Sequence, residues 1–203
     1  MAKRSWKPGT FVYPLPAVLA SCGTMEHPNA LTIAWTGIVC SDPAMTYISV
    51  RPSRYSYDLI KESGEFVINL TTRDLAYATD YMGVRSGRDE NKFESMCLTA
   101  EPAVHVSCPM IAESPVSIEC KVTQVLPLGT HDMFLAEILA VNVDERYFDE
   151  NDRFQMEKCD LLAFSHGQYY TLGEHIGKFG YSVAKKKVKS KSSKRKVKNK
   201  VKP

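Results

Sequence analysis

The chain lacks any run of 18 or more apolar residues, the length a helix needs to cross a bilayer, so no membrane span is expected. It also lacks Cys-x-x-Cys and any paired Cys/His spacing. Its six cysteines, at positions 22, 40, 97, 108, 120 and 159, support neither a zinc site nor a thioredoxin-like dithiol. With 203 residues the chain can build a core without disulfide staples, so reduced thiols and a cytoplasmic setting are the expectation. Four catalytic signatures are missing as well: Gly-x-Gly-x-x-Gly after a strand, Gly-x4-Gly-Lys-Ser/Thr, His-Glu-x-x-His and Gly-x-Ser-x-Gly. Their absence removes a Rossmann fingerprint, a P-loop, a zinc-protease helix and a nucleophile elbow.

Acidic residues are missing from one region in particular. Residues 185–202 carry eleven Lys and Arg and no Asp or Glu. Setting those eleven aside from the 26 basic residues leaves 15 against 23 acidic ones, so the body is near −8 although the whole chain is +3. The expected division is one domain over residues 1–183 and a disordered basic tail over 184–203. Lysine clusters of this kind give salt-dependent affinity for phosphate polymers and anionic surfaces, and no aromatic residue is interleaved for base stacking. The tail therefore keeps a nucleic-acid or anionic-surface binder open beside a solubilising extension. At the other end, Lys3, Arg4 and the stretch 11–22 imitate a lipoprotein signal, but Lys7, Pro8, Gly9, Pro14 and Pro16 break the helix-forming stretch that a signal requires.

What the body contains is β pattern. Residues 11–22 read as a first strand with prolines at its entry, and residues 45–50, 65–70 and 160–173 read as further strands, the last running into a loop. Residues 116–128 and 133–143 flank the turn Gly129-Thr-His-Asp, a hairpin signal. Residues 51–64 read as a loop opening a short helix that Ser53 or Ser56 caps and Gly64 closes. Residues 72–82 and 88–96 read as helical. The sum is a mainly β fold, an antiparallel β-barrel with a few peripheral helices.

Two stretches carry chemistry. In residues 29–40 (Asn-Ala-Leu-Thr-Ile-Ala-Trp-Thr-Gly-Ile-Val-Cys), Leu31, Ile33 and Trp35 alternate with Thr32, Ala34 and Thr36. This is the period-2 pattern of a strand with one bulky apolar face and one small hydroxylated face. The small face suits a flat polar ligand, and it equally suits a strand that merely packs. Residues 49–56 (Ser-Val-Arg-Pro-Ser-Arg-Tyr-Ser) place two arginines and three serines at a helix mouth, where free N–H groups and the dipole favour an anion such as phosphate. Ordinary capping serines in a solvated turn read the same way.

Taken in order, these segments resemble the flavin reductase-like family, and within it the flavoredoxins. The resemblance rests on the Pro-rich first strand, residues 29–37, 49–56 and 65–70, the Ser86 to Phe93 segment, Gly129-Thr-His-Asp-Met-Phe and Tyr170-Thr-Leu-Gly. It spans roughly residues 8–182 and leaves the tail outside. It implies an FMN-binding split β-barrel of Greek-key type, a homodimer with FMN near the subunit interface. It further implies an oxidoreductase that passes electrons from NAD(P)H or a reduced protein partner through FMN to an acceptor, or a non-enzymatic FMN electron carrier. Carried over by position, Asn29, Thr32, Trp35 and Thr36 would line the isoalloxazine and ribityl parts. Cys40 and Ser41 would approach the ring, and Arg51, Ser53 and Ser56 would take the phosphate. Lys92 would be a further cation, although the longer Ser86 to Phe93 segment departs from the family's spacing. His131 and Phe164 would close the site from the same or the neighbouring subunit. No acid, base, nucleophile or metal is demanded of the protein, because the flavin carries the electron chemistry.

Overall fold

The structure, a computed structural model, describes residues 1–184; the expected tail falls almost wholly outside them. The chain divides into a unit of residues 1–172 and a second unit from residue 173 onward, in which, among the described residues, only a 3-10 turn, Tyr181–Val183, is regular. No helix among the described residues is long and apolar enough to cross a membrane.

The first unit is built on a seven-stranded antiparallel sheet. Its strands are β2 (Val18–Gly23), β3 (Pro28–Ile33), β4 (Thr36–Ser41), β5 (Ala44–Val50), β6 (Glu65–Leu70), β9 (Val116–Pro127) and β10 (Asp132–Val143), in the order β3-β2-β6-β9-β10-β5-β4. The two end strands, β3 and β4, are linked by Ala34 and Trp35 alone, and the Ser49 N–H donates to the Trp35 carbonyl at 2.9 Å, extending the β4–β5 ladder by one residue. A smaller sheet joins β1 (Leu15–Pro16), β11 (Leu162–Ser165) and β12 (Gln168–Thr171), and two short strands, β7 (Ala100–Glu101) and β8 (Met110–Ile111), pair alone.

Val18, Ala20, Cys22, Leu31, Ile33, Ile48, Val50, Phe66, Ile68, Phe134 and Ala136 bury together inside the curled sheet. One helix, α1 (Tyr55–Ser63), plugs it with Tyr57 and Ile60. Outside, Leu19 and Ala30 pack with Met82 of α2 (Ala76–Val84) and Phe93 of α3 (Lys92–Ser95). Strand β2 is thus buried on both faces, which is why it reads as a continuous apolar run instead of an alternating one. A carboxylate is buried on the face of β9 opposite the core residue Cys120. Glu119 of β9 is 0% exposed and accepts from the Val104, His105 and Val106 amides and from Asn142 Nδ2 at 2.8 Å. Burial alone would push its carboxyl up, but the hydrogen bonds outweigh it and hold the group below its usual range.

Several expected elements are corrected. The single first strand is two short ones in different sheets, because Pro14 and Pro16 remove donors and the chain changes sheet at Ala17. The single strand over residues 29–40 is β3 and β4, broken at Ala34 and Trp35, so its alternation fails at the break: Ile33 is buried while Trp35 is 36% exposed. Helix α2 begins at Ala76, because Thr72 pairs in a bridge with Leu161. Only Lys92–Ser95 of the region 88–96 is helical, started by Asn91, whose side chain accepts from the Phe93 and Glu94 amides. Residues 160–173 form a hairpin, turning at His166 (φ 50°) and Gly167 (φ 84°). The 116–143 hairpin, β5 and β6 lie where expected.

Candidate functional site

The turn before α1 is closed by the Arg54 N–H on the Arg51 carbonyl at 3.0 Å, which brings residues 51–56 together. Arg54, not a serine, is the N-cap, and its side chain makes no capping bond. Ser53 lies outside the helix, and Ser56 sits in the first turn, where its hydroxyl accepts from Asn29 Nδ2 at 2.7 Å. The expected serine cap is therefore absent, and this helix mouth is left without a side-chain acceptor. Gly64 closes α1 in the left-handed region as expected, with φ 69°.

This helix mouth opens into a recess of about 420 Å³, within the range of small-molecule sites. Its floor is Leu31 and Thr32 of β3, one wall is residues 51–56, and the other is the segment from Met82 to Arg88 with Lys92 beneath. A second recess of about 150 Å³ shares Leu31, Thr32, Arg51 and Arg54 with the first and runs on to Ala34, Trp35 and His131. The two form one groove. At its far end the Trp35 and His131 rings lie 4.4 Å apart at 44°, with His131 Nδ1 paired to Thr130 Oγ1 at 3.0 Å. Burial first, then Arg51 and Arg54, push the His131 pKa down, so its imidazole is neutral at neutral pH.

Charge along the groove is of one sign. Arg51, Arg54, Arg85, Arg88 and Lys92 line it, and no Asp or Glu does. Among the described residues Arg51 and Arg54 have no carboxylate partner. Lys92 is 3% exposed, and its ammonium donates to the Ala30, Met82 and Arg85 carbonyls. That use of its protons ties β3 to the end of α2. Burial pulls its pKa down to about 8.

Of the residues singled out from sequence, Thr32, Trp35, Arg51, Ser53, Ser56, Lys92 and His131 line the groove. Asn29 is buried behind Ser56, bonded also to Cys22 Sγ. The hydroxylated face is less free than its pattern suggests, because Thr32 Oγ1 donates to the Thr79 carbonyl and Thr36 Oγ1 to the Tyr47 carbonyl. Thr36 lines neither recess. Cys40 and Ser41 lie at the end of β4, and Phe164 packs on Tyr13 and Tyr169 beside β1, so the chain does not bring these three to the groove. Sequence reasoning missed Arg85, Gly87 and Arg88, and it had Arg54 as one of the two arginines at the helix mouth without assigning it to the ligand. Arg54 stood in a motif already singled out, whereas Arg85 to Arg88 looked like an ordinary polar turn. Among the described residues no cluster of three His, Cys, Asp or Glu is placed to hold a metal.

The sequence model of the flavin reductase like domain matches residues 10–173. The chain belongs to that family. Its fold is the family's split barrel: the flavoredoxin of Desulfovibrio vulgaris (Miyazaki F) superposes with a TM-score of 0.83 at 33% identity, over 90% of this chain and 100% of that one. A protein of Archaeoglobus fulgidus is 34% identical over 139 residues, 68% of this chain and 78% of the relative. An NADPH-flavin oxidoreductase of Streptomyces viridifaciens is 26% identical over 124 residues, 60% of this chain and 62% of its own length. Membership in the flavin reductase-like family makes this a chain of a flavin-binding oxidoreductase family.

Proposed function

We propose that the groove binds FMN and that the chain acts as an oxidoreductase, passing electrons from NADPH, NADH or a reduced protein partner through the flavin to an acceptor. The observation that carries this reading is the groove's polarity: an aromatic pair, Trp35 and His131, at one end, and the uncapped mouth of α1 with unpaired Arg51 and Arg54 at the other. A planar ring ending in a phosphate monoester matches both ends at once. The absence of any carboxylate lining fits a dianion.

When bound, the flavin supplies the hydride and electron chemistry itself. The protein's residues then have holding tasks. Trp35 and His131 take the ring by stacking. Arg51, Ser53 and the first-turn amides of α1 take the phosphate. Asn29 and Lys92 fix the walls by hydrogen bonds to Ser56 and to three backbone carbonyls. The neutral His131 imidazole removes one cation from beside the ring.

A second copy of the chain belongs to the same reading. Edge strand β4 exposes Ile38 at 89% and Val39 beside it, an apolar patch that a second copy would cover, with Cys40 and Ser41 at the end of the same strand. The absorption spectrum of the purified protein, followed by FMN titration, tests the cofactor: a colourless protein that takes up no FMN refutes the reading. Turnover with NADPH or NADH marks an enzyme, and reduction by a protein donor alone marks a carrier. The NADPH in the name of the Streptomyces relative makes NADPH the first donor to try.

A further inference from the structure

The phosphate end of the groove holds more positive charge than one phosphate monoester uses. A phosphate monoester carries about −1.5 to −2 at neutral pH. Arg51 and Arg54, both without carboxylate partners, already balance that. Across the same recess stand Arg85 and Arg88, at the end of α2 and just beyond it.

Neither of these two arginines is committed to an acid. Arg85 Nε is 4.0 Å from Glu90 and Arg88 Nη2 is 3.8 Å from Asp58, well beyond the distance of a charge-assisted hydrogen bond. Glu90 is instead occupied by Tyr81 Oη at 2.8 Å and Ser95 Oγ at 2.6 Å. Each guanidinium is carried over a ring, Arg85 above Tyr81 at 5.9 Å and Arg88 above Tyr55 at 5.4 Å, which orients the fork while leaving most of its donors free. Arg88 spends one donor on the Ser53 carbonyl, at 3.1 Å, and so reaches across to the wall that carries the first pair. The segment between them is held in place. Lys92 donates to the Met82 and Arg85 carbonyls, and a Cβ on Gly87 would overlap Asn29.

Resting on the flavin reading above, we infer that Arg85 and Arg88 form a second phosphate seat, facing the first across the recess. Its ligand is a second phosphoryl group on a nucleotide. Such a group is carried by the flavin when it is a dinucleotide, FAD, and by the donor, where NADPH adds a terminal 2′-phosphate to the diphosphate it shares with NADH; the 2′-phosphate is the donor group assigned to the seat. The recess is roomy enough, at about 420 Å³, to hold more than the end of a ribityl phosphate.

The test compares wild type with Arg85→Gln, Arg88→Gln and the double variant at fixed ionic strength. Two ratios are read: FAD against FMN affinity by fluorescence quenching, and 2′,5′-ADP against 5′-AMP affinity for the FMN-loaded protein. Both side chains are at least half exposed or close to it, so the variants fold, and a ratio is insensitive to the folded fraction. A fall of roughly tenfold in the first ratio supports the seat and assigns it to the flavin's diphosphate, and the same fall in the second assigns it to the donor. If neither ratio moves by more than about twofold, the seat is overturned. A wild-type chain that binds neither FMN nor FAD refutes the flavin reading instead.

Discussion

Replacing Gly87 with alanine adds one methyl group to the wall of the larger recess. The backbone conformation is not the obstacle, because Gly87 is not among the glycines with positive φ. Space is the obstacle. A Cβ there would overlap Asn29 Oδ1 and stand 2.8 Å from Tyr55 Cδ1 and 3.1 Å from Asn29 Cγ. Neither neighbour yields easily: Asn29 is buried and tied to Ser56 at 2.7 Å and Cys22 at 3.4 Å, and Tyr55 opens α1 under the Arg88 guanidinium. Overpacking of this kind costs about 1–3 kcal/mol. The cost divides between two readouts. Strain kept in the free protein lowers its Tm by about 2–4 °C per kcal/mol for a domain of this size. Strain relieved by moving residues 86–88 or Asn29 reappears when a phosphate ligand restores the wall, and it weakens FMN by up to about 150-fold at the upper limit. Differential scanning fluorimetry and FMN titration measure the two together. Gly64→Ala is the contrast: Gly64 has φ 69° and nothing within 4 Å of a Cβ. Alanine there costs about 1–2 kcal/mol of stability through its left-handed backbone and leaves FMN affinity alone. A Gly87→Ala protein with Tm within about 1 °C and affinity within about twofold of wild type would refute the placement of this wall.

Trp35→Ala removes one of two stacking partners and weakens FMN and riboflavin alike, by about tenfold in fluorescence titration. Arg51→Gln separates the two ligands: FMN affinity falls about tenfold or more and riboflavin is unchanged, because only FMN has a phosphate to lose. Glu119→Gln turns an NH2 donor toward backbone donors in a buried site and lowers stability by about 1–3 kcal/mol in urea unfolding, without moving the flavin spectrum. Lys92 gives a pH dependence. Its folded pKa, near 8, lies below its unfolded value, so between the two the unfolded chain binds more protons and stability rises with pH. Urea midpoints at pH 7.5 and 9.5 show that rise in wild type and lose it in Lys92→Met.

Much of the fold was legible because its strands obey local rules. Residues 65–70 and the 116–143 hairpin carry their own pattern and turn chemistry, and α1 is closed by a glycine whose left-handed φ is used as expected. The break at Ala34 and Trp35 was not legible, since β3 before it pairs with β2 and β4 after it pairs with β5, partners that no local pattern announces. The split of the first strand follows from pairing with β11, almost 150 residues downstream, which no local pattern announces. The site divides the same way. Arg51, Ser53 and Ser56 share one motif with a recognisable electrostatic purpose. Arg85 and Arg88 enter the groove only because Lys92 and Gly87 hold their segment against β3 and α1. Lys92 itself, on its own a lysine on a short helix, is buried by that contact.

The groove is walled by four stretches that lie far apart along the chain: β3, residues 51–56, the segment from Met82 to Lys92, and His131. It is a seam between parts of the fold, and whatever fills it acts as a rivet. A ligand bound there adds RT ln(1 + [L]/Kd) to the stability of the body, about 4 kcal/mol at a thousandfold excess over Kd. That is a sizeable share of what holds a domain folded. On the proposed flavin reading the cofactor is as much a part of the architecture as α1, and a cell short of flavin would carry this chain in a looser form.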